Sequence, residues 1–245
     1  MGGLELALFL IATLIGGVVS GLAGFAFGLV VSAVWLHIMA PIQAATIIIG
    51  YGLLLQSYGT WKLRSALDWR RIAPFVIGGA AGAPIGAALL THLDPNYLRT
   101  GTGLLLVLYG SYGLARPVLH PVKAGVAADV GVGFLNGLVS GMTGLPGIIV
   151  TIWCQMRGWS KDTQRTVFQP TILLTLLINI AALAFAGAIT VPTIKLYALG
   201  MPFMAVGAWF GLRLYGHLND AAFRKIVLVL LLVSGITLVV PLSIF

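Results

Sequence analysis

Apolar positions gather into ten continuous runs, at roughly 4–22, 25–39, 43–60, 72–91, 98–115, 124–142, 145–156, 166–187, 193–215 and 226–243. Unbroken apolar stretches of about 18 residues or more are the mark of bilayer-crossing helices, and strands would alternate instead. The pattern predicts an all-α, polytopic integral membrane protein whose loops are too short for a soluble domain. The second and seventh runs are shorter. At about 13–15 residues they would rise roughly 20–22 Å as helices, less than the ~30 Å hydrocarbon core. They are expected to be half-spans or arms of re-entrant hairpins.

The halves of the chain resemble each other. GGVVSGLAG at 16–24 matches NGLVSGMTG at 136–144, an offset of 120 that also pairs Thr46 with Thr166. Further on the offset becomes 125, pairing Gly82, Gly86, Arg99 and Gly110 with Gly207, Gly211, Arg224 and Gly235. The order of matches points to a duplication, with one repeat over 1–118 and the other over 119–245.

Composition agrees with a bilayer environment. Of 245 residues 59% are hydrophobic and 8% charged, and the mean hydropathy is +1.04. A water-facing surface of this size could not be covered by so few charges. The net charge of +8 has no basic stripe with interleaved aromatics, so nucleic acid is not an expected partner. The basic residues instead orient the chain. Four single crossings per half, with the N-terminus inside, divide Lys and Arg seven to seven. Treating each opening pair as a hairpin or two crossings, with both termini outside the cytoplasm, leaves twelve inside and only Arg99 and Lys195 outside. Each half then has an odd number of crossings and the repeats have inverted topology, each a broken or re-entrant pair followed by three spans. The N-terminal run has Glu5 and no Lys or Arg ahead of it, a poor signal peptide, and reads as the first membrane segment.

Candidate chemistry concentrates in two glycine-dense breaks, Gly16, Gly17, Gly21, Gly24 and Gly28 in the first half, and Gly137, Gly141, Gly144, Pro146 and Gly147 in the second. Glycine relaxes the backbone and proline removes a donor, so a membrane helix should stop or bend there. Freed amides at a half-helix N-terminus attract anions, and Ser20, Ser140 and Thr143 could add hydroxyls. Small residues that merely allow close helix packing are the alternative. For Gly78, Gly82, Gly86, Gly207 and Gly211 packing, within the chain or across a homodimer, is the preferred reading. Thr46 and Thr166 open the segments behind the breaks, with Gln43, Gln164, Arg165 and Gln169 nearby. Helix capping and snorkelling of Arg165 compete with a binding role there. Asn179 lies deeper and reads as a ligand or as interhelical glue.

Other chemistry is disfavoured. Cys154 is the only cysteine, which excludes an intrachain disulfide or a cysteine metal site. The four histidines have no metal-ligand spacing, so neither metal nor cofactor is expected. Away from Asp129, near a segment start, no carboxylate lies inside a predicted span, since Glu5 is terminal and the others are in loops, which argues against a buried proton relay. No hydrolytic constellation appears, so an enzyme is not expected.

On GGVVSGLAGFAFG (16–28), GLVSGMTGLPG (137–147), the two threonines, GGAAGAPIGAALL (78–90) and GAWFGLRL (207–214), the chain resembles the TauE/SafE sulfite exporter family from about residue 8 to 240. The stretch from Gly24 to Gly28 is less glycine-rich than the family leads one to expect. The resemblance implies an inner-membrane carrier that exports sulfite or organosulfonates. The implied substrate-binding residues are Ser20, Gly21, Gly24, Phe25 and Gly28 with Ser140, Gly141, Thr143, Gly144 and Gly147, and then Thr46 and Thr166. An anion channel of the same fold and a non-transporting scaffold subunit are the alternatives. The partners expected are a small anion and the lipid bilayer.

Overall fold

The computed structural model describes residues 2–90, 95–115, 121–143, 146–185 and 189–239. Among them are ten α-helices, one 3-10 turn (Arg64–Ala66) and no strand. The helices are α1 (Gly3–Ala23), α2 (Phe27–Ile38), α3 (Pro41–Lys62), α4 (Trp69–Leu90) and α5 (Pro95–Ala115). They continue with α6 (Val126–Thr143), α7 (Ile148–Met156), α8 (Lys161–Phe185), α9 (Val191–Gly216) and α10 (Asp220–Val239). Each apolar run has become one helix. The short ones are α2, with 12 residues, and α7, with nine, which rise only about 18 and 14 Å.

Local signals set several helix starts. The Gly2 amide donates to the Glu5 carboxylate at 2.8 Å, and the Arg70 amide donates to Asp68 at 3.0 Å. Thr190 caps α9 by accepting from the Thr193 amide, with proline in the first turn where the lost donor costs nothing. Two stretches, Gly3–Ala23 and Val191–His217, combine the length and hydropathy of a membrane crossing. Along α9, Ile194, Leu199, Phe203, Trp209, Phe210 and Leu214 are exposed, a surface suited to lipid rather than water.

The chain forms two compact units. One holds the described residues up to Gly59 and Leu176–Leu218, and the other holds Thr60–Thr175 with the rest of the described chain from Asn219. Both draw on both halves of the sequence.

In the first unit α1 crosses α9 backbone to backbone. A Cβ on Gly17 would stand 2.6 Å from the Met204 carbonyl oxygen, and one on Gly21 would strike that of Ala208. From the other side, Cβ atoms on Gly207 and Gly211 would strike the carbonyls of Leu14 and Val18. Beside this crossing lies an aromatic core. Phe9 stacks on Trp35 with centroids 4.8 Å apart, and Tyr51 stacks on Tyr197 at 4.7 Å. The Tyr51 hydroxyl donates to the Tyr197 carbonyl at 2.6 Å, so its polar end is satisfied inside the unit.

In the second unit α4 crosses α6 in the same manner. Cβ atoms on Gly78, Gly82 and Gly86 would strike the carbonyls of Val130, Phe134 and Leu138, and one on Gly137 would strike that of Gly79. The contact residues of one crossing are those of the other, displaced by 120 on one helix and 125 on its partner: Gly17 faces Met204 and Ala208, and Gly137 faces Gly79 and Ala83. These glycine stripes are therefore spent on packing within the chain, and a homodimer would have to use another face. The α5–α10 crossing also rests on the paired glycines. A Cβ on Gly110 would lie 2.9 Å from the Leu232 Cβ, and one on Gly235 would lie 2.7 Å from the Gly103 carbonyl.

Candidate functional site

Each half opens with a helical hairpin whose turn takes left-handed backbone. After α1, Gly24 has φ 84°, its amide donates to the Ser20 carbonyl at 2.7 Å, and Ala26 follows at φ 74°. The chain thus reverses within three residues, and α2 folds back along α1. A Cβ on Gly16 would stand 2.7 Å from Val31 and 3.1 Å from Phe27. In the second half Gly147, at φ 94°, caps α7, which folds back along α6. The Val150 amide donates to the Asn136 side-chain Oδ1 at 3.4 Å, and the Trp153 indole donates to Asp129 at 2.7 Å. Arg157 adds a contact to Asp129 at 4.0 Å and a hydrogen bond to the Ala124 carbonyl, closing the hairpin's far end.

Ala26 is the only residue other than glycine with positive φ among the described residues. It occupies the capping position that Gly147 fills in the second half, and the alanine costs about 1–2 kcal/mol of left-handed strain. Ala26→Gly should relieve it, less the ~0.5–1 kcal/mol of extra chain entropy that glycine gives up on folding. The net gain expected is about 0.5–1 kcal/mol, seen as a higher melting temperature in detergent. A lower melting temperature would show that the alanine methyl packs better than it strains.

In the first unit, Ser20, Gly24 and Phe25 are buried around the α1–α2 turn, and Gly28 lies in the first turn of α2. Gln56 of α3, absent from the sequence-based candidates, reaches this turn and donates to the Gly24 carbonyl at 2.9 Å. Gly21 faces α9, so packing alone accounts for its lack of a side chain. Thr46 stands ten residues before Gln56, about 15 Å along α3 from the turn. Its hydroxyl donates to the Ile42 carbonyl at 2.7 Å, which leaves it only acceptor capacity.

In the second unit Ser140 is buried on α6, Gly141 is half-buried, and Thr143 ends the helix. Gly144 lies outside the described residues, as do His92, Asp94, Arg116 and His120. Gly147 packs on the Ile172 side chain of α8. Thr166 is buried near the start of α8, and its hydroxyl donates to the Thr163 carbonyl at 2.8 Å. Around these residues stands a set of buried polar side chains that sequence reasoning passed over or treated as peripheral: Asn136, Thr151, Gln155, Arg165 and Gln169. A signal was available. Asn136 and Ser140 are four apart inside one apolar run, and so are Thr151 and Gln155 in the next.

Comparison with known proteins can be set against this geometry. The sulfite exporter TauE/SafE family matches residues 8–238, nearly the whole chain. The chain belongs to that family. It is also 30% identical over 176 residues to the "Probable inner membrane transporter protein TsaS" of Comamonas testosteroni, covering 69% of this chain and 72% of the relative. No solved structure matches it. Membership of TauE/SafE makes the chain a membrane transporter and places its helices in a bilayer.

Proposed function

We propose that the protein carries a small sulfur-containing anion, such as sulfite or an organosulfonate, outward across the inner membrane by alternating access. The carrying observation is the pair of hairpins in which a left-handed turn at Gly24–Ala26 or at Gly147 precedes a helix too short to cross the bilayer. Non-helical backbone is tolerated at membrane depth only where protein or a wet cavity surrounds it. In each hairpin the freed amides at the start of the short helix, with the hydroxyl of Ser20 in the first and of Ser140 in the second, suit an oxyanion held near the midplane. The family's name and that of the relative support the sulfur chemistry.

The residue-for-residue correspondence of the α1–α9 and α6–α4 crossings supports the reading of 1–118 and 119–245 as repeats. The charge distribution supports their inverted insertion, with both termini outside the cytoplasm.

Counterflow in proteoliposomes tests the proposal. Methanesulfonate loaded on one side should accelerate uptake of labelled methanesulfonate or sulfite from the other, with saturation, and matched acetate should not. Flux that rises linearly with concentration and shows no trans-stimulation would identify a channel. A folded protein that moves no oxyanion but retains a bound partner through purification would identify a scaffold subunit.

A further inference from the structure

The two opening hairpins share a backbone plan, but their interiors differ in chemistry. In the second unit Asn136, Ser140, Thr151, Gln155, Arg165 and Gln169 are each 0% to 4% exposed. Asn136 Nδ2, Ser140 Oγ, Thr151 Oγ1, both amide atoms of Gln155 and Gln169 Oε1 find no hydrogen-bond partner among the described residues. Burying such groups unsatisfied costs about 1–3 kcal/mol each, and a native fold retains them when something else completes them.

Two contacts align the helices that carry these groups. Asn136 holds the first turn of α7 through the Val150 amide, next to Thr151. That amide can only donate, so Oδ1 is the acceptor and Nδ2 remains a donor directed elsewhere. On the other side, Gly147 rests on Ile172, so α8 runs back along α7. With equal rise on both helices, this register sets Thr151 level with Phe168 and Gln169, and Gln155 level with Gln164 and Arg165. Arg165, Gln169 and Ile172 follow one another at helical spacing on one face of α8.

The first half lacks this set. At the offset of 120, Gly16, Ala45 and Ile49 replace Asn136, Arg165 and Gln169, Ser20 keeps the counterpart of Ser140, and α2 carries Val30, Val31, Val34 and Trp35 along the stretch that corresponds to Thr151 and Gln155. Val31 and Trp35 are fully buried in apolar and aromatic packing, with the Trp35 indole nitrogen unpartnered among the described residues.

We infer that the anion is held by the side chains of Asn136, Ser140, Thr151, Gln155, Arg165 and Gln169, a cage that the first half does not reproduce. The inference rests on the anion-carrier reading and narrows it. The Arg165 guanidinium supplies the countercharge, and the Asn136 and Gln155 amides and two hydroxyls donate to the anion's oxygens. The Gln155 and Gln169 carbonyls accept from a donor that the anion carries or from water bound with it.

The test is binding to the purified full-length protein in detergent, with methanesulfonate, sulfite, phosphate and acetate as probes, for wild type, Thr151→Val and Gln155→Met. Each variant swaps an unpartnered polar group for an apolar one of similar shape. Each should weaken methanesulfonate binding at least tenfold while leaving the melting temperature without ligand unchanged or raised. Thr13→Val removes a buried hydroxyl that is satisfied by the Phe9 carbonyl, and binding should be unaffected. Unchanged affinity in both cage variants, or a wild type that binds none of the four anions, would overturn the cage. Saturable counterflow that persists undiminished in both variants would do so too and leave the carrier reading standing. Wild type that binds acetate or phosphate but no sulfur anion, with that binding lost in the variants, would keep the cage and sink the sulfur assignment.

Discussion

Gly82→Leu is expected to leave no folded protein. A Cβ at Gly82 would strike the Phe134 carbonyl and stand 2.9 Å from the Leu138 amide nitrogen, and both are backbone atoms of α6. No rotamer change can clear a backbone atom, so the two helices must separate. Overpacking that side chains can absorb costs about 1–3 kcal/mol. Parting two helices also forfeits the dispersion and Cα–H···O contacts along the stripe of Gly78, Gly82, Gly86, Gly133 and Gly137. The loss should consume most of a total stability of about 5–15 kcal/mol. Even Gly82→Ala should lower the melting temperature by several degrees. Gly207→Leu should behave alike, because its Cβ would strike the Leu14 carbonyl in the equivalent crossing of the other unit. Gly101, which has nothing within 4 Å of its Cβ position, should accept alanine with little change. A monodisperse, cooperatively melting Gly82→Leu protein would disprove the account of the crossing.

Gly24→Leu and Gly147→Leu are expected to abolish flux while the protein stays folded in the membrane. Both glycines have left-handed backbone, where a side chain costs about 1–2 kcal/mol, a fraction of the whole stability. At Gly147 the added side chain would meet the end of Ile172, which is flexible enough to yield. The fold should therefore survive, but the start of α7 would shift, and with it Thr151 and the amides of its first turn. At Gly24 the shift would disturb the carbonyl that Gln56 holds and the start of α2. Displacement by about 1 Å can cost a positioned site about a hundredfold, which would put flux near background. Membrane fractionation and melting curves separate this outcome from misfolding. Normal flux in both variants would refute a role for the turns in transport.

Much of the fold was legible in the sequence because a bilayer imposes a simple rule. Every spanning backbone must satisfy its own hydrogen bonds, so continuous apolar runs become helices one for one, and ten runs gave α1 to α10. The shortness of α2 and α7 was readable from run length, and the breaks before them from Gly24 and Gly147. The close-packing role of Gly78, Gly82, Gly86, Gly207 and Gly211 was also readable, because glycine at intervals of four makes a flat stripe along a helix.

The site was legible only in part. Glycine density drew attention to the turns, where Ser20, Ser140 and Gly147 do lie. It could not separate Gly21, which the α9 crossing uses, from glycines freed for other work. Thr46 and Thr166 matched across the halves, but their hydroxyls are committed to carbonyls of their own helices. Gln56 and Gln155 went unread because one amide inside an apolar run looks like any other polar exception until a neighbouring helix shows what it faces.

By itself the sequence determined the membrane class, the number of helices and which of them are short, and the family. These depend on periodicity, length and residue type, which are local properties of the chain. Only the tertiary structure decided which helices pair, α1 with α9 and α4 with α6, so that each compact unit draws on both halves. It alone decided which polar side chains among the described residues are buried without a partner, and that most of them lie in the second half. Both depend on contacts between residues far apart in the chain, where burial and pairing, rather than composition, fix what a polar group costs and what would complete it.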